Sequence, residues 1–395
     1  MTTTESTTTS AATASDVDED EDRSTDVVDV AGGDGAAGGF ARLADAVLTP
    51  RATNQWAIRL GVPLAAVVAA LVVGAGLLRI EGAAPLAVYE TVLREATSGY
   101  GPQDLLVAAT PLMLMGVGLA LAYRAKVFTI GAEGQYLVGA VAATALVTAP
   151  GLRELPGLLL IPLGALVAAA AGAAWSALSG VLLGRFGTSV VISSLLLNYV
   201  AAALVAWAVR VGIKDPGAFV DQSRDVGHAR LPALPWPDVH AGFLVAVIAV
   251  VVGWLALART RFGFRLDVAG ANQDALAAHE VHPVRFTTTV LAVTGVVAGL
   301  AGFLEVAGVS GRLHSESGVG YGFTAIVVAL LGRLHPVGAG AAALGLSLLT
   351  IGFEGAERDF ALPASTVGVI QALIVVFVVI GDALAARWER KGARA

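Results

Sequence analysis

Long apolar runs separated by short polar segments dominate the chain from about residue 55 to about residue 385. Most of them are close to the roughly 20 residues that an α-helix needs to cross a bilayer. The pattern predicts ten membrane-spanning helices, at about 56–78, 105–122, 134–150, 157–183, 189–209, 241–258, 286–308, 322–333, 336–353 and 364–384. The run at 322–333 is short, so it forms either a kinked pair with the next run around Pro336 or a partly re-entrant element.

The composition agrees with an all-α polytopic membrane protein. Hydrophobic residues make up 56% of the 395 residues and charged residues only 14%, whereas a soluble domain carries about 25% charged residues. The mean hydropathy is +0.75. Abundant Ala, Gly and Val with short loops favour helices over a barrel, whose strands would alternate in polarity. Because cysteine is absent, disulfides and thiolate metal sites are excluded.

The two ends of the chain are polar. Residues 1–54 are rich in Thr, Ser, Gly and acidic residues, and such a segment cannot bury enough apolar surface to offset its ordering entropy. We therefore expect a disordered acidic cytoplasmic tail, a transmembrane domain over 55–385 and a basic cytoplasmic end at 386–395. With the N-terminus in the cytoplasm, the short cytoplasmic loops hold the excess of Lys and Arg, as the positive-inside rule requires.

Two polar loops are long enough to carry a function. Residues 210–240 contain four prolines, which disfavour regular helix, and predict a semi-rigid extracytoplasmic cap. Residues 259–285 form the longest cytoplasmic loop. Its middle, 272–281, predicts a short helix that begins with Asn272 as N-cap and ends before Pro283. Such a helix either presents a surface to a soluble partner or seals the helix bundle.

The chain lacks a recognisable site for ATP or for catalysis. None of its three lysines ends the Gly-Lys-Ser/Thr sequence of a P-loop. No Ser-His-Asp or paired-carboxylate arrangement stands out, so we expect a non-enzymatic subunit without catalytic residues, metal or bound cofactor. No nucleic-acid partner is expected. The Gly-rich stretches are typical of close helix packing in membranes.

Few polar residues interrupt the apolar runs. Glu133 and Gln135 open the third run, Asn198 lies in the fifth, and Glu305 lies near the outer end of the seventh. Each of them either lines a substrate path or makes a structural hydrogen bond between helices. An ion-coupled transporter usually has several carboxylates near the middle of the membrane, and Glu305 is the one candidate for a buried acid.

Several ordered motifs resemble those of bacterial ABC importer permeases for nucleosides and simple sugars. They are the Phe-Thr-Ile-Gly-Ala-Glu-Gly-Gln signature at 128–135, the Leu-Leu-Leu-Asn-Tyr-Val signature at 195–200, the coupling segment at 263–272 with Ala275, and later spans at 299–308 and 320–332. The resemblance covers roughly residues 55–385. Thr129 stands where the family signature has Asn; its hydroxyl can also donate and accept, so the same turn can form. Asp267 stands where the family usually has a basic residue.

The resemblance implies a type II importer fold of about ten helices, with spans 2–5 and 7–10 as inverted repeats. It also implies cytosolic ABC ATPase subunits that use ATP and Mg, a second homologous permease subunit in a heterodimer, and an extracytoplasmic substrate-binding lipoprotein. The site residues form three sets. They are Glu133, Gln135, Asn198 and Glu305 on the substrate path, Arg265, Gly270, Asn272, Asp274, Ala275 and Ala278 in the coupling to the ATPase, and Gly131 and Gly134 in the signature backbone.

The resulting prediction is a multi-pass permease of the bacterial plasma membrane, with both termini cytoplasmic, that translocates nucleosides. A permease for ribose-like sugars or branched-chain amino acids stays open as an alternative. So does an ion-coupled secondary transporter that works alone. A membrane-embedded enzyme is the least favoured class, because the sequence has no catalytic constellation.

Overall fold

The computed structural model describes residues 55–235, 239–272, 281–315, 317 and 320–392. The predicted acidic tail therefore lies outside the described residues. The described part contains twelve α-helices: α1 Gln55–Ile80, α2 Pro85–Thr97, α3 Gly101–Arg124, α4 Ala132–Val147, α5 Gly157–Phe186, α6 Val190–Trp207, α7 Gly242–Arg259, α8 Arg261–Ala271, α9 Pro283–Glu305, α10 Tyr321–Leu331, α11 Pro336–Phe360 and α12 Ala364–Gly392. Short π-helical segments, Ala208–Gly212 and Val306–Ser310, extend α6 and α9.

All ten predicted apolar runs form helices, but not all of these helices have the length of a membrane span. Within the described residues, seven helices (α3, α5, α6, α7, α9, α11 and α12) are long and apolar enough to cross a bilayer. An eighth span is counted if α1 and α2, which meet at a bend of 115°, form one broken span. The remaining two, α4 and α10, have 16 and 11 residues. The described residues thus contain seven or eight helices of membrane-spanning length and composition, together with the two shorter apolar helices α4 and α10.

Two helices were not predicted from the sequence. Helix α2 occupies a segment that the hydropathy pattern assigns to a loop, although Pro85 stands in its first turn and Val88, Val92 and Ala96 form a buried stripe. Helix α8 lies in the predicted coupling loop, and its N-cap is Thr260, whose hydroxyl accepts a hydrogen bond from the Gly263 N–H at 3.2 Å. Both are amphipathic rather than apolar throughout, so a search for apolar runs does not detect them.

Helix α3 lies at the centre of the larger hydrophobic core. Every residue from Ala109 to Tyr123 is buried, as expected for a helix that is apolar on all sides. It packs against α7, α9, α10 and α11. A second core joins α1, α2, α11 and α12 around Val92, Phe353 and Ile370.

Glycines bring α4, α5 and α9 into close contact. A methyl group on Gly299 of α9 would overlap the backbone of Ala168 and Gly172 in α5, and one on Gly139 of α4 would overlap Gly299. A methyl on Gly302 would overlap the carbonyl of Tyr136. Small residues let helix backbones approach closely. The resulting van der Waals packing holds helices together in lipid, where the hydrophobic effect does not drive their association. The predicted packing role of the Gly-rich stretches is confirmed at these positions.

The loop after α6 folds back onto the end of α9. The Ser223 N–H donates to the Leu313 carbonyl at 2.9 Å, and the Leu231 N–H donates to the Ala307 carbonyl at 2.9 Å. Arg312 bridges Asp215 at 2.6 Å and Asp225 at 3.8 Å. Residues 236–238 of the predicted cap lie outside the described residues.

The charged contacts of this loop make its attachment sensitive to acid. The hydrogen bond from Arg312 lowers the pKa of Asp215 below its ordinary 3.8, and Arg210 and Arg230 do the same for Asp221 and Asp225. A carboxylate with a lowered pKa stabilises the folded loop above its unfolded pKa, and this contribution disappears as the pH falls through the lowered value.

We therefore expect full attachment of the loop at pH 7 and partial release below about pH 4. Hydrogen–deuterium exchange at Ser223 and Leu313, corrected for the intrinsic pH dependence of exchange, measures it. Arg312→Gln should lower protection at pH 7 and weaken its dependence on pH. Equal protection of the unsubstituted chain at pH 7 and pH 3 would contradict the expectation.

Candidate functional site

The signature segment forms an irregular turn between α3 and α4. The hydroxyl of Tyr123, in the last turn of α3, donates to the Thr129 carbonyl at 2.6 Å. The Thr129 hydroxyl accepts a hydrogen bond from the Gly131 N–H at 3.1 Å. The Thr129 hydroxyl therefore makes a hydrogen bond inside the turn. The predicted turn forms with Thr in place of Asn.

Helix α6 holds the same turn from its other side. The side-chain amide of Asn198 donates to the Ile130 carbonyl at 2.8 Å, and its oxygen accepts from the Gly134 N–H at 2.9 Å. The Ser194 hydroxyl accepts from the Ile130 N–H at 3.1 Å. Two motifs that are about 65 residues apart in sequence thus form one hydrogen-bonded unit.

The two signature glycines are needed for this close approach and not for an unusual backbone angle. A Cβ atom on Gly134 would lie 2.8 Å from Asn198 Oδ1, and one on Gly131 would lie 2.9 Å from Ser194 Cβ. Gly131 itself has an ordinary φ of -82°. The glycines therefore make room for α6, which sequence spacing alone does not show.

Glu133 joins this unit to α10. It is in the first turn of α4 and only 5% exposed. Its two carboxylate oxygens accept hydrogen bonds from the backbone N–H groups of Gly320 and Gly322, both at 2.7 Å. The carboxylate thus caps the N-terminus of α10, where free N–H groups and the positive end of the helix dipole favour an anion.

Gln135 links α4 to α5 and α9. Its amide nitrogen donates to the Ser176 hydroxyl at 2.8 Å, and Ser176 lies 3.3 Å from the Thr294 hydroxyl. In the part of the chain that the structure describes, two buried atoms beside these bonds have no hydrogen-bond partner: Gln135 Oε1 and Trp175 Nε1. One is an acceptor and the other a donor, so both remain available to a polar group.

Glu305 lies apart from this unit. It is the last residue of α9, at the start of the π-helical segment, and it is only partly buried. It lies near the side chains of Tyr136 and Tyr321, whose rings lie 6.1 Å apart. The Tyr136 hydroxyl is buried and has no partner among the described residues. Glu305 is therefore the most accessible of the four predicted path residues.

The predicted coupling segment contacts the start of the signature turn through α8. Asp267 forms an ion pair with Arg124, the last residue of α3. A methyl group on Gly270 would overlap the Arg124 carbonyl. Arg265 is exposed on α8, and Asn272 follows that helix in extended conformation. Asp274, Ala275 and Ala278, with the helix predicted over most of 272–281, lie outside the described residues.

The structure thus brings together residues that the sequence presented separately. Glu133, Gln135 and Asn198 share one buried network with Gly131 and Gly134, whereas Glu305 lies beside two tyrosines. Three polar residues inside apolar helices were not predicted as part of the site: Ser176, Thr294 and Trp175. The role of Gly320 and Gly322 was not predicted either. A search for polar residues within apolar runs would have found the first three, but not the two glycine N–H groups.

These features define a class: an α-helical, multi-pass membrane protein with short helices and buried polar groups in its interior. Residues 101–379 match the family described as "Branched-chain amino acid transport system / permease component". The chain belongs to this family of ABC importer permeases, and it is a transport subunit.

The names of individual relatives state different substrates. The chain is 36% identical to the glucose ABC transporter permease protein TsgB13 of Haloferax volcanii over 85% of this chain and 91% of that protein. It is 30% identical to the guanosine ABC transporter permease protein NupP of Bacillus subtilis, over 84% and 97%. It is 28% identical to the nucleoside ABC transporter permease protein NupB of Lactococcus lactis subsp. cremoris, over 81% and 90%. No solved structure matches the chain.

Proposed function

We propose that this chain translocates nucleosides as one membrane-spanning half of an ATP-driven importer. The observation that carries this proposal is the similarity, over more than four-fifths of the chain, to permeases for guanosine and for nucleosides. The Leu-Leu-Leu-Asn-Tyr-Val sequence at 195–200 supports it, because it resembles a signature of the nucleoside-type permeases.

The chemistry of the interior suits an uncharged substrate. Gln135 Oε1 and Trp175 Nε1 are a neutral acceptor and a neutral donor without partners in the described part of the chain. A nucleoside needs such groups for orientation and needs no counter-ion. We propose that Glu133, Gln135 and Asn198 stand beside the path, where Glu133 and Asn198 shape its wall, and that Glu305 faces the path directly. Binding should be weak, because a tight site would retain the substrate.

A sugar such as glucose is the second candidate, favoured by the 36% identity to the glucose permease. Both candidates are uncharged and carry several hydroxyls. A branched-chain amino acid is less suited to this interior, because a zwitterion calls for charged partners at both of its ends.

The proposed assembly follows from what this chain lacks. We propose that two cytosolic ABC ATPase subunits hydrolyse ATP with Mg, that a second homologous permease completes the path, and that an extracytoplasmic lipoprotein delivers the substrate. Both termini and α8 would lie in the cytoplasm, and the 210–240 loop would lie outside. The ATPases would move the 265–281 segment as a lever, and α8 would pass the motion to Arg124.

Uptake by the purified transporter in liposomes tests the substrate. We expect ATP-dependent uptake of radiolabelled guanosine that excess unlabelled nucleoside abolishes and excess glucose or leucine does not. Uptake of glucose alone would establish the second candidate in its place. Uptake driven by a proton or sodium gradient without ATP would contradict the proposal altogether.

The coupling segment is tested by Ala275→Asp. A charged side chain at this position should disrupt a packed contact with the ATPase, because an unpaired charge is costly to bury. We expect ATPase copurification and uptake to fall at least tenfold together, while the amount of folded permease stays the same. Normal values for both would remove Ala275 from the coupling. Ala84→Asp is the control, because Ala84 is exposed in the turn before α2 and lies outside the 265–281 segment.

A further inference from the structure

The contact between Glu133 and α10 has the properties of a mechanical link. Helix α10 has 11 residues, so it is about 16 Å long, roughly half the thickness of the hydrocarbon core. The turn at residues 332–335 joins it to the full-length helix α11, and a methyl group on Gly332 or Gly338 would overlap the other's backbone. Helices α10 and α11 are therefore in close contact at the turn that joins them.

At the start of α10, Gly322 is buried and Gly320 is half-buried. A backbone N–H group without a hydrogen-bond partner is costly in such surroundings. Glu133 pairs with two of these groups at once, through both of its oxygens. In turn, the two charge-assisted hydrogen bonds offset the cost of burying the carboxylate. Each side of the contact thus depends on the other, and neither has a substitute partner among the described residues.

The contact is also close enough for a displacement of α4 to move α10. A methyl group on Gly322 would overlap the backbone nitrogen and Cα of Glu133, so the two backbones touch directly. Glu133 follows the signature turn, which Tyr123 and Asn198 brace at 2.6 and 2.8 Å. The turn begins at Arg124, against which α8 is packed. A continuous series of contacts therefore runs from α8 through the signature turn to α10.

We propose that Glu133 is a positioning residue for transport: it couples movement of the cytoplasmic segment to α10, so that ATP hydrolysis drives import only while Glu133 holds Gly320 and Gly322. This inference rests on the proposed function, because it takes α8 as part of the ATPase contact. It does not depend on which substrate is carried. Helix α10 lies in the second half of the chain and Glu133 in the first, so the contact makes the two halves move together.

Two substitutions of Glu133 break the contact in different ways. Glu133→Gln has almost the same shape but keeps only one acceptor oxygen, so one glycine N–H faces an NH₂ group instead. Glu133→Asp keeps both oxygens but is one methylene shorter, so its carboxylate cannot reach the Gly320 and Gly322 N–H groups, which Glu133 binds at 2.7 Å, without a shift of α4. We expect uptake per ATP hydrolysed to fall at least tenfold in both variants, while ATPase activity of the intact transporter stays within about twofold, because a lost charge-assisted hydrogen bond costs more than 1.4 kcal/mol.

The matched control is Gly345→Ala, a helical glycine of α11 with no atom within 4 Å of an added Cβ. It should behave as the unsubstituted chain does. A second readout needs no substrate: because the chain contains no cysteine, Thr324→Cys places a single thiol on the exposed face of α10. Its maleimide labelling should change when ATP is added, and Glu133→Gln should abolish that change.

The outcomes separate this inference from the proposed function. Unchanged uptake per ATP in both variants would overturn it. An equal loss of assembly, ATPase activity and uptake would also overturn it, because that result indicates a purely structural role. Labelling of Thr324→Cys that ATP does not alter would overturn it as well. Failure to take up any nucleoside or sugar, with ATP-dependent labelling intact, would overturn the proposed substrate and leave the coupling role of Glu133 supported.

Discussion

Replacing Gly299 with valine is expected to prevent the chain from reaching its folded, membrane-embedded form. An added Cβ would overlap the backbone of Ala168 and Gly172 in α5, and backbone atoms cannot rotate away as a flexible side chain can. Overpacking by a single group costs about 1–3 kcal/mol where side chains adjust, and more where two helices must separate. Since folded proteins have a margin of about 5–15 kcal/mol, the loss is severe.

The measurement is the yield of monodisperse permease in mild detergent, followed by its thermal aggregation temperature. Gly345→Val is the control, because no atom lies within 4 Å of a Cβ at that position. We expect normal yield for the control and a yield below about a tenth for Gly299→Val. A Gly299→Val protein with the aggregation temperature of the unsubstituted chain would show that α5 and α9 do not need this close contact.

The second large effect is expected at Asn198. Substitution by alanine leaves the Ile130 carbonyl and the Gly134 N–H without the partners they have at 2.8 and 2.9 Å. Each unpaired buried group costs about 1–3 kcal/mol, and both belong to the turn that positions Glu133. We expect uptake to fall more than tenfold, with a smaller drop in thermal stability, because the helices on either side of the turn keep their packing.

Asn198→Asp sharpens this test. It keeps the oxygen that accepts from Gly134 but places an oxygen against the Ile130 carbonyl, so the two acceptors repel each other. Its uptake should be as low as that of Asn198→Ala. Tyr199→Phe is the control, because the neighbouring side chain is 71% exposed. Uptake within twofold of normal in Asn198→Ala would mean that the signature turn holds its shape without α6.

The apolar helices could be predicted because a long apolar run lies in the bilayer, where the backbone N–H and C=O groups can form hydrogen bonds only within a helix. Helix α3 is the clearest case, since its apolar character on all sides matches its complete burial. Helices α2 and α8 could not be found in the same way. Their apolar residues cover only one face. That face is buried because α11 packs against α2 and the end of α3 packs against α8, and the sequence does not show these contacts.

The candidate site was predictable residue by residue but not as an arrangement. A carboxylate and two amides at the edge of an apolar run or within one indicate a special region, because such groups are costly in hydrocarbon. Their partners are mostly backbone atoms, as with the Gly320 and Gly322 N–H groups that bind Glu133. Every residue except proline carries these atoms, so no sequence pattern distinguishes them.

The sequence by itself determined the membrane class, the positions of the apolar helices and the motifs that belong to an importer permease, because these follow from local hydropathy and residue type. Only the tertiary structure decided that α4 is short, that α6 braces the signature turn, and that Glu133 joins the two halves of the chain. The physical reason is that hydrogen bonds and glycine contacts between distant segments depend on where the backbones meet, and that is set by the packing of all the helices together.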